Sequence, residues 1–196
     1  MTGVQAAVVV PVKAFRSAKR RLATVLSPDE REDLARFMAA RVVAAAGDAP
    51  VTVVCDDEDV RSWATEAGAR TLWTPGLGLD GAVTAGVADA ADRGADRVVV
   101  AHADLPFARD LSTLFCGDGV SIVPDRHGDG TNVIAVPSRA GFRFSYGPGS
   151  FGRHVATAND QGLAVEILSD PDLGWDVDIP SDLDLPGGLD LMSVLR

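Results

Sequence analysis

The sequence predicts an α/β fold, a mostly parallel sheet with helices on both faces. Three observations carry this. Short apolar runs alternate with helix-length segments along the 196 residues, the pattern of strand–helix–strand units. One run, Arg97 to Ala101 (RVVVA), is nearly all valine and reads as the central buried strand. Five cations, Lys13, Arg16, Lys19, Arg20 and Arg21, follow the first apolar run in a chain of formal charge −10. The carboxyl end of a first strand is where open α/β sheets receive anionic ligands.

Ala6 to Val10 is the first strand, and Pro11, with no N–H for a ladder, ends it. Ser27-Pro28-Asp29-Glu30 starts a helix: Ser27 caps, Pro28 suits the first helical position and Glu30 completes a capping box. The helix runs to about Ala46, with Leu34, Phe37, Met38, Val42 and Val43 on one face, and Gly47 stops it. Val51 to Cys55 is a second strand; a short helix capped by Asp56 or Asp57 follows, and Arg70 to Thr74 is a third. The glycine-rich loop from Pro75 to Gly81 precedes a helix from Ala82 to about Arg93. After RVVVA come a helix near Ala108 to Phe115, a strand from Val120 to Val123, the loop Pro124 to Asn132 and a strand from Val133 to Val136. Phe142 to Gly152 reads as irregular, His154 to Asn159 as helix, Ala164 to Leu168 as strand and Ser181 to Leu185 as a short helix. The length predicts one domain over residues 1–196, with 186–196 a loosely held tail.

Composition excludes several classes. The net charge of −10 argues against a general nucleic-acid binder. No apolar run reaches the ~18 residues of a membrane span, and the N-terminus lacks a signal-peptide layout. Cys55 and Cys116, at unrelated spacing, suggest neither a disulfide framework nor a zinc site. Both are expected in the core of a reduced, cytoplasmic protein.

Four constellations point to chemistry. Lys13 and Lys19 are the only lysines in the chain, and no acidic residue precedes Asp29. That segregation fits phosphate binding, Lys as a point charge and Arg as a fork. A solvated basic helix face is the alternative, against which Pro11 and the missing acidic partners argue. Asp104 directly follows RVVVA, where a Mg²⁺ ligand belongs in a phosphate-handling α/β protein; a helix N-cap is the structural reading. Asp176 and Asp178, two apart, would point to one side of an extended segment and either could join Asp104 at a metal; a turn rich in Asp and Pro is the alternative. Finally, Gly76–Gly81 and Gly147–Gly152 both match G-x-G-x-x-G. Two matches in one chain show how weak that pattern is, yet such glycines let backbone N–H groups approach an anion or a base. Thr131, Asn132 and Ser150 add short polar groups beside them. His102, His127 and His154 are scattered, and no P-loop or G-x-S-x-G is present.

With these residues assembled, the chain resembles the guanylyltransferases of coenzyme F-420 biosynthesis. The matching stretches are PVKAFRSAKRRLATVLSPDER, GLGLDGAVTAG, VVVAHADLP, IVPDRHGDGTNVI, FSYGPGSFGRH and DVDIPSDL. They cover most of the chain in order. The resemblance implies a three-layer α/β/α sandwich of the GT-A nucleotidyltransferase type, and a reaction using GTP and Mg²⁺ on phosphoenolpyruvate or 2-phospho-L-lactate. By resemblance, Pro11, Val12, Lys13, Arg16, Lys19, Gly78, Leu79 and Asp80 would line the nucleotide site. Lys13, Lys19 and Asp104 would be catalytic, and Asp104 with Asp176 or Asp178 would hold metal. Thr131, Asn132, Gly147 and Ser150 would hold the acceptor acid. Asp80 stands where the family's loop near guanine carries Asn, and His102 where Ser or Gly is common. The resemblance also implies a downstream transferase that consumes the product.

Other readings make different predictions. A different nucleotidyltransferase of the same fold would act on molybdopterin, a sugar phosphate or 3-phosphoglycerate. A non-catalytic module would bind GTP and release no pyrophosphate. An NAD-dependent oxidoreductase would need no metal and leaves the basic loop unexplained.

Overall fold

The computed structural model describes residues 5–185 and 189–194. Seven strands form the main sheet: β1 (Ala6–Pro11), β2 (Val51–Cys55), β3 (Arg70–Trp73), β4 (Arg97–Ala101), β5 (Val120–Pro124), β6 (Thr131–Pro137) and β7 (Val165–Ile167). Their order is β3-β2-β1-β4-β6-β5-β7, which puts the valine-rich β4 at the centre. β1 pairs in parallel with β2 and β4, β2 with β3, and β5 with β7, while β6 runs antiparallel to β4 and β5.

Strand alternation sorts the core into two layers. Val8, Val10, Val53 and Val99 pack under α1 (Pro28–Ala45) and α2 (Glu58–Glu66); Val9, Val54, Val98 and Val100 pack under α3 (Gly78–Asp92) and α4 (Ser150–Asp160). This is the expected three-layer α/β/α sandwich. Gly86 lets α3 lie close on the sheet, since a Cβ there would meet Val9 and Val54 at 2.8 Å.

The capping box of α1 forms as read: Ser27 Oγ accepts from the Glu30 N–H at 3.3 Å, and Glu30 Oε2 accepts from the Ser27 N–H at 2.9 Å. The helix read from His154 begins at Ser150, and the one read over Ser181 to Leu185 is a 3-10 turn at Pro180–Leu183 followed by strand. Four further expectations change. The segment from Ala108 to Phe115 is no α-helix; only a 3-10 turn at Ser112–Leu114 forms. Its backbone is claimed from outside, for Leu111 N–H donates to Ala45 C=O, and the Leu114 carbonyl is taken by Arg97. The helix after the glycine-rich loop begins at Gly78 rather than Ala82, so Gly78 and Asp80 lie in its first turn. Cys116 is exposed, whereas Cys55 is buried as expected.

The tail is the fourth. A third cluster joins Leu22, Leu34 and Met38 to Val177, Leu183 and Leu191, with Leu191 fully buried. A small ladder pairs β8 (Asp184–Leu185) with β9 (Leu189–Asp190), and α5 (Leu191–Val194) follows. Burial of Leu191 therefore holds this segment to the domain; the rest of the tail lies outside the described residues. Among the described residues no helix is long and apolar enough to cross a membrane.

Candidate active site

The chain leaves β1 for β2 on one side and returns to β4 on the other. The carboxyl ends of β1 and β4 thus flank the switch point of the sheet, where a crevice opens. The segment after β1 is two 3-10 turns, Phe15–Ser17 and Arg20–Thr24, with Phe15 and Leu22 buried. Between them Lys19 adopts φ +52°, alone among described non-glycine residues in the left-handed region. The turn sends its side chain inward. Lys19 Nζ donates to Asp104 Oδ2 at 2.7 Å and to Asp178 Oδ1 at 3.1 Å.

A cavity of about 590 Å³ lies over this edge. Pro11, Val12, Lys13 and Lys19 line one wall, Gly78 and Leu79 another, and His102 and Asp104 its floor. Seven sequence-predicted residues therefore meet here, with Asp178 at the rim. Lys13 is exposed to the cavity. Arg16 does not line the cavity: it turns to the start of α2, with Nη2 2.8 Å from Asp59 and 3.6 Å from Asp57. Arg20 and Arg21 line the cavity instead.

Electrostatics follow from burial. Burial would lower the Lys19 pKa, but Asp104 and Asp178 outweigh it and raise the pKa. Burial would raise that of Asp104, but the Lys19 ammonium holds it below the usual carboxylate range. Asp176 has no such cation among the described residues; burial, then the nearby Asp104 charge, push it up to about 6. The Val177 N–H donates to Asp104 C=O at 3.2 Å, which brings the 176–178 segment against Asp104.

These residues fit Mg²⁺ in one respect that can be read directly. Asp104 Oδ1 is buried without a hydrogen-bond partner among the described residues, with two further carboxylates close by. No group of three His, Cys, Asp or Glu side chains among the described residues forms a cage. A divalent ion here would take its other ligands from phosphate and water, the habit of Mg²⁺.

The predicted acceptor residues behave differently. Because β6 is antiparallel to β4, its first residues lie beside the carboxyl end of β4, and the His102 N–H donates to Asn132 C=O at 3.0 Å. Yet Thr131, Asn132 and Ser150 are 2%, 4% and 2% exposed. Ser150 Oγ accepts from the Thr131 N–H at 3.0 Å, and Asn132 Nδ2 donates to Leu173 C=O at 3.0 Å. None lines the cavity; Gly147 alone of the four is exposed, at φ +100°.

What organises this side is His154, which spacing could not connect to anything. Its Nε2 accepts from the Ser145 N–H at 3.0 Å, so Nδ1 carries the proton and donates to Thr131 Oγ1 at 3.0 Å. Burial, then Arg153, lower its pKa to about 4. Arg153 gathers the carbonyls of Ser145, Tyr146 and Pro148 at 3.1, 3.0 and 2.5 Å. Asp80 lies outside the cavity lining, and its Oδ1 accepts from the Tyr146 N–H at 2.8 Å. It therefore ties the 145–149 turn to α3. The Tyr146 ring separates the two regions, 4.9 Å from both His102 and His154.

Comparison with known proteins agrees with this architecture. The family model for CofC-like guanylyl transferases matches residues 6–185. The chain belongs to that family. Among curated relatives, the phosphoenolpyruvate guanylyltransferase of Sphaerobacter thermophilus is 37% identical over 179 residues, 87% of this chain and 86% of that one. The 2-phospho-L-lactate guanylyltransferase of Methanothermobacter thermautotrophicus is 33% identical over 180 residues, 87% of this chain and 78% of that one. Among solved structures, a Desulfovibrio desulfuricans protein described as a nucleotide-diphospho-sugar transferase superposes with a TM-score of 0.72 at 20% identity, covering 92% of this chain and 85% of that one. The CofC-like chain thus has the expected nucleotidyltransferase fold, and it is an enzyme of a guanylyltransferase family.

Proposed function

We propose that this enzyme transfers GMP from GTP to phosphoenolpyruvate, giving enolpyruvyl-diphospho-guanosine and pyrophosphate in coenzyme F-420 biosynthesis. The observation that carries the reading is the cavity at the switch point, where Lys13 and Lys19 face the Asp104 carboxylate. The names of the relatives at 37% and 33% identity support the nucleotide and the class of acceptor, a small phosphorylated acid.

An acceptor phosphate oxygen forms a bond to the α-phosphorus. The bond from that phosphorus to the α,β-bridging oxygen breaks, and its electron pair leaves on pyrophosphate. A phosphate is ionised at neutral pH, so no side chain has to remove a proton. The protein's task is to hold two polyanions in line and stabilise the charge that develops on the leaving group. Lys13 reaches the phosphates as a point charge. Lys19 stays anchored to Asp104 and adds a second. Asp104 with Asp176 or Asp178 would hold Mg²⁺, which when bound neutralises phosphate charge. The Ser145, Tyr146 and Gly149 N–H groups are taken by His154, Asp80 and Asp129, so the turn would meet the acceptor through the exposed Gly147 main chain, and Thr131, Ser150 and His154 keep that turn in shape.

The test is pyrophosphate release from GTP, Mg²⁺ and each of phosphoenolpyruvate, 2-phospho-L-lactate and 3-phosphoglycerate, with ATP as control. Release with phosphoenolpyruvate and GTP alone is expected. Release only with 2-phospho-L-lactate would move the acceptor to that of the Methanothermobacter relative. Silence with all three, repeated with the downstream transferase that consumes the product, would overturn the reading.

A further inference from the structure

Asp176 and Asp178 sit on an irregular segment, and something must aim it. Asp182, 3% exposed, lies at its base. Asp182 Oδ2 accepts from the Asp178 N–H at 2.6 Å and the Ile179 N–H at 2.8 Å. Its Oδ1 accepts from Arg126 Nη2, while Arg126 Nη1 donates to Asp176 C=O at 3.1 Å. The guanidinium lies 4.3 Å over the Trp175 ring, whose Nε1 donates to Asp182 C=O at 3.2 Å. One ion pair therefore grips the backbone at Asp176, Asp178 and Ile179 and touches neither carboxylate itself.

We propose that Arg126 and Asp182 are positioning residues that hold Asp176 and Asp178 against Asp104 for divalent-metal binding. The proposal rests on the reading of Asp104 with Asp176 or Asp178 as the metal-holding group. Backbone grip is the suitable device. The hydrogen bonds act on N–H and C=O groups, so the pair itself occupies no carboxylate oxygen of Asp176 or Asp178; Asp178 is held instead by Lys19 Nζ, which a cation would have to displace. Arg126 comes from the loop after β5, so the segment is fixed to the sheet rather than to its own chain neighbours. Metal ligands elsewhere depend on such outer partners, whose loss typically lowers affinity about 10–100-fold.

The experiment is Mn²⁺ titration of the full chain with GTP present, following free Mn²⁺ by electron paramagnetic resonance, with the Mg²⁺ dependence of pyrophosphate release alongside. Asp182→Asn is expected to raise the Mn²⁺ dissociation constant at least about 10-fold, with the maximal rate recovered at high Mg²⁺. Arg126→Lys, which keeps the charge but not the fork, is expected to fall between it and the wild type. If both variants lose thermal stability yet bind Mn²⁺ with wild-type affinity, the pair is only structural and the proposal is overturned. If Asp182→Asn does not fold, Arg126→Lys decides by the same criterion. Asp176→Asn and Asp178→Asn are the controls. Should neither weaken Mn²⁺ binding, the metal reading fails and carries this proposal with it, an outcome distinct from weakened controls beside an unaffected Asp182→Asn.

Discussion

At the carboxyl ends of β1 and β4, Lys13 is exposed and Lys19 bridges Asp104 and Asp178 across the floor of a cavity of about 590 Å³. Beyond the Tyr146 ring, Thr131, Ser150 and His154 are no more than 2% exposed, and their polar atoms are paired with one another or with the 145–149 turn. Both regions put short polar or charged side chains at the same edge of the sheet. In the first, the partners are charges facing open space, which a polyanion or cation can compete for. In the second, they are buried neutral hydrogen bonds whose loss leaves an orphaned group. The first region can exchange its partners with a bound ion while the second holds a shape, and variants separate the two.

The largest effect is expected from Asp104→Ala: turnover falls by on the order of 10³-fold, while circular dichroism shows a folded protein. Near wild-type rates at saturating Mg²⁺ would sink the metal assignment. Lys13→Ala comes next. Removing one electrostatic stabiliser should raise the barrier by about 2–4 kcal/mol, read from kcat/KM, with Tm unchanged because Lys13 is solvent-exposed.

The framework region should instead report in stability. His154 has a folded-state pKa of about 4 against 6.5 for the free side chain. The unfolded chain therefore binds the extra proton between these values. The neutral imidazole's contribution is complete above pH 6.5 and is lost as pH falls toward 4, by about 3 kcal/mol in all. Denaturant midpoints measured across that range check it; in His154→Phe this part of the slope should vanish. Thr131→Val strands the Nδ1 proton and should cost about 1–3 kcal/mol in urea unfolding, with kcat/KM less affected than in Lys13→Ala.

The smallest effect belongs to Arg16→Ala. Its guanidinium is 66% exposed and pairs with Asp57 and Asp59 at the rim of α2, so stability and turnover should both stay near wild type. A large loss of turnover would mean that Arg16 swings back to the phosphates, and would erase the distinction between cavity-facing and outward cations in this loop.

Most strands were legible as compact apolar runs, the edge strands β3 and β7 less so, and β4 because valine on both faces demands burial on both sides. The basic loop and Asp104 were legible because charge at a strand's carboxyl end has few structural uses. The segment after Pro106 misled, for it reads as a helix and forms none: Ala108, Leu111 and Leu114 are buried there, but Leu111 N–H and Leu114 C=O bond to Ala45 and Arg97 rather than within a helix. Arg97 shows the limit most plainly. It opens RVVVA with nothing in the sequence to name its partners, yet it is 1% exposed and serves the carbonyls of Leu114, Gly117 and Gly119.

Local pattern and charge placement thus determined the α/β class, the order of the strands along the chain, the capped first helix and the basic loop at the cavity, because those properties depend on a residue and its near neighbours. Only the tertiary structure decided that Arg16 faces away, that Asp80 braces a turn, that Thr131 and Ser150 are sealed inside, and that Arg126 and Asp182 grip the acidic segment. Each of those depends on a partner distant in sequence: His154 lies 23 residues from Thr131, Asp182 lies 56 from Arg126, and Asp80 lies 66 from Tyr146. Whether a polar side chain becomes reagent or frame is set by what the fold stacks over it.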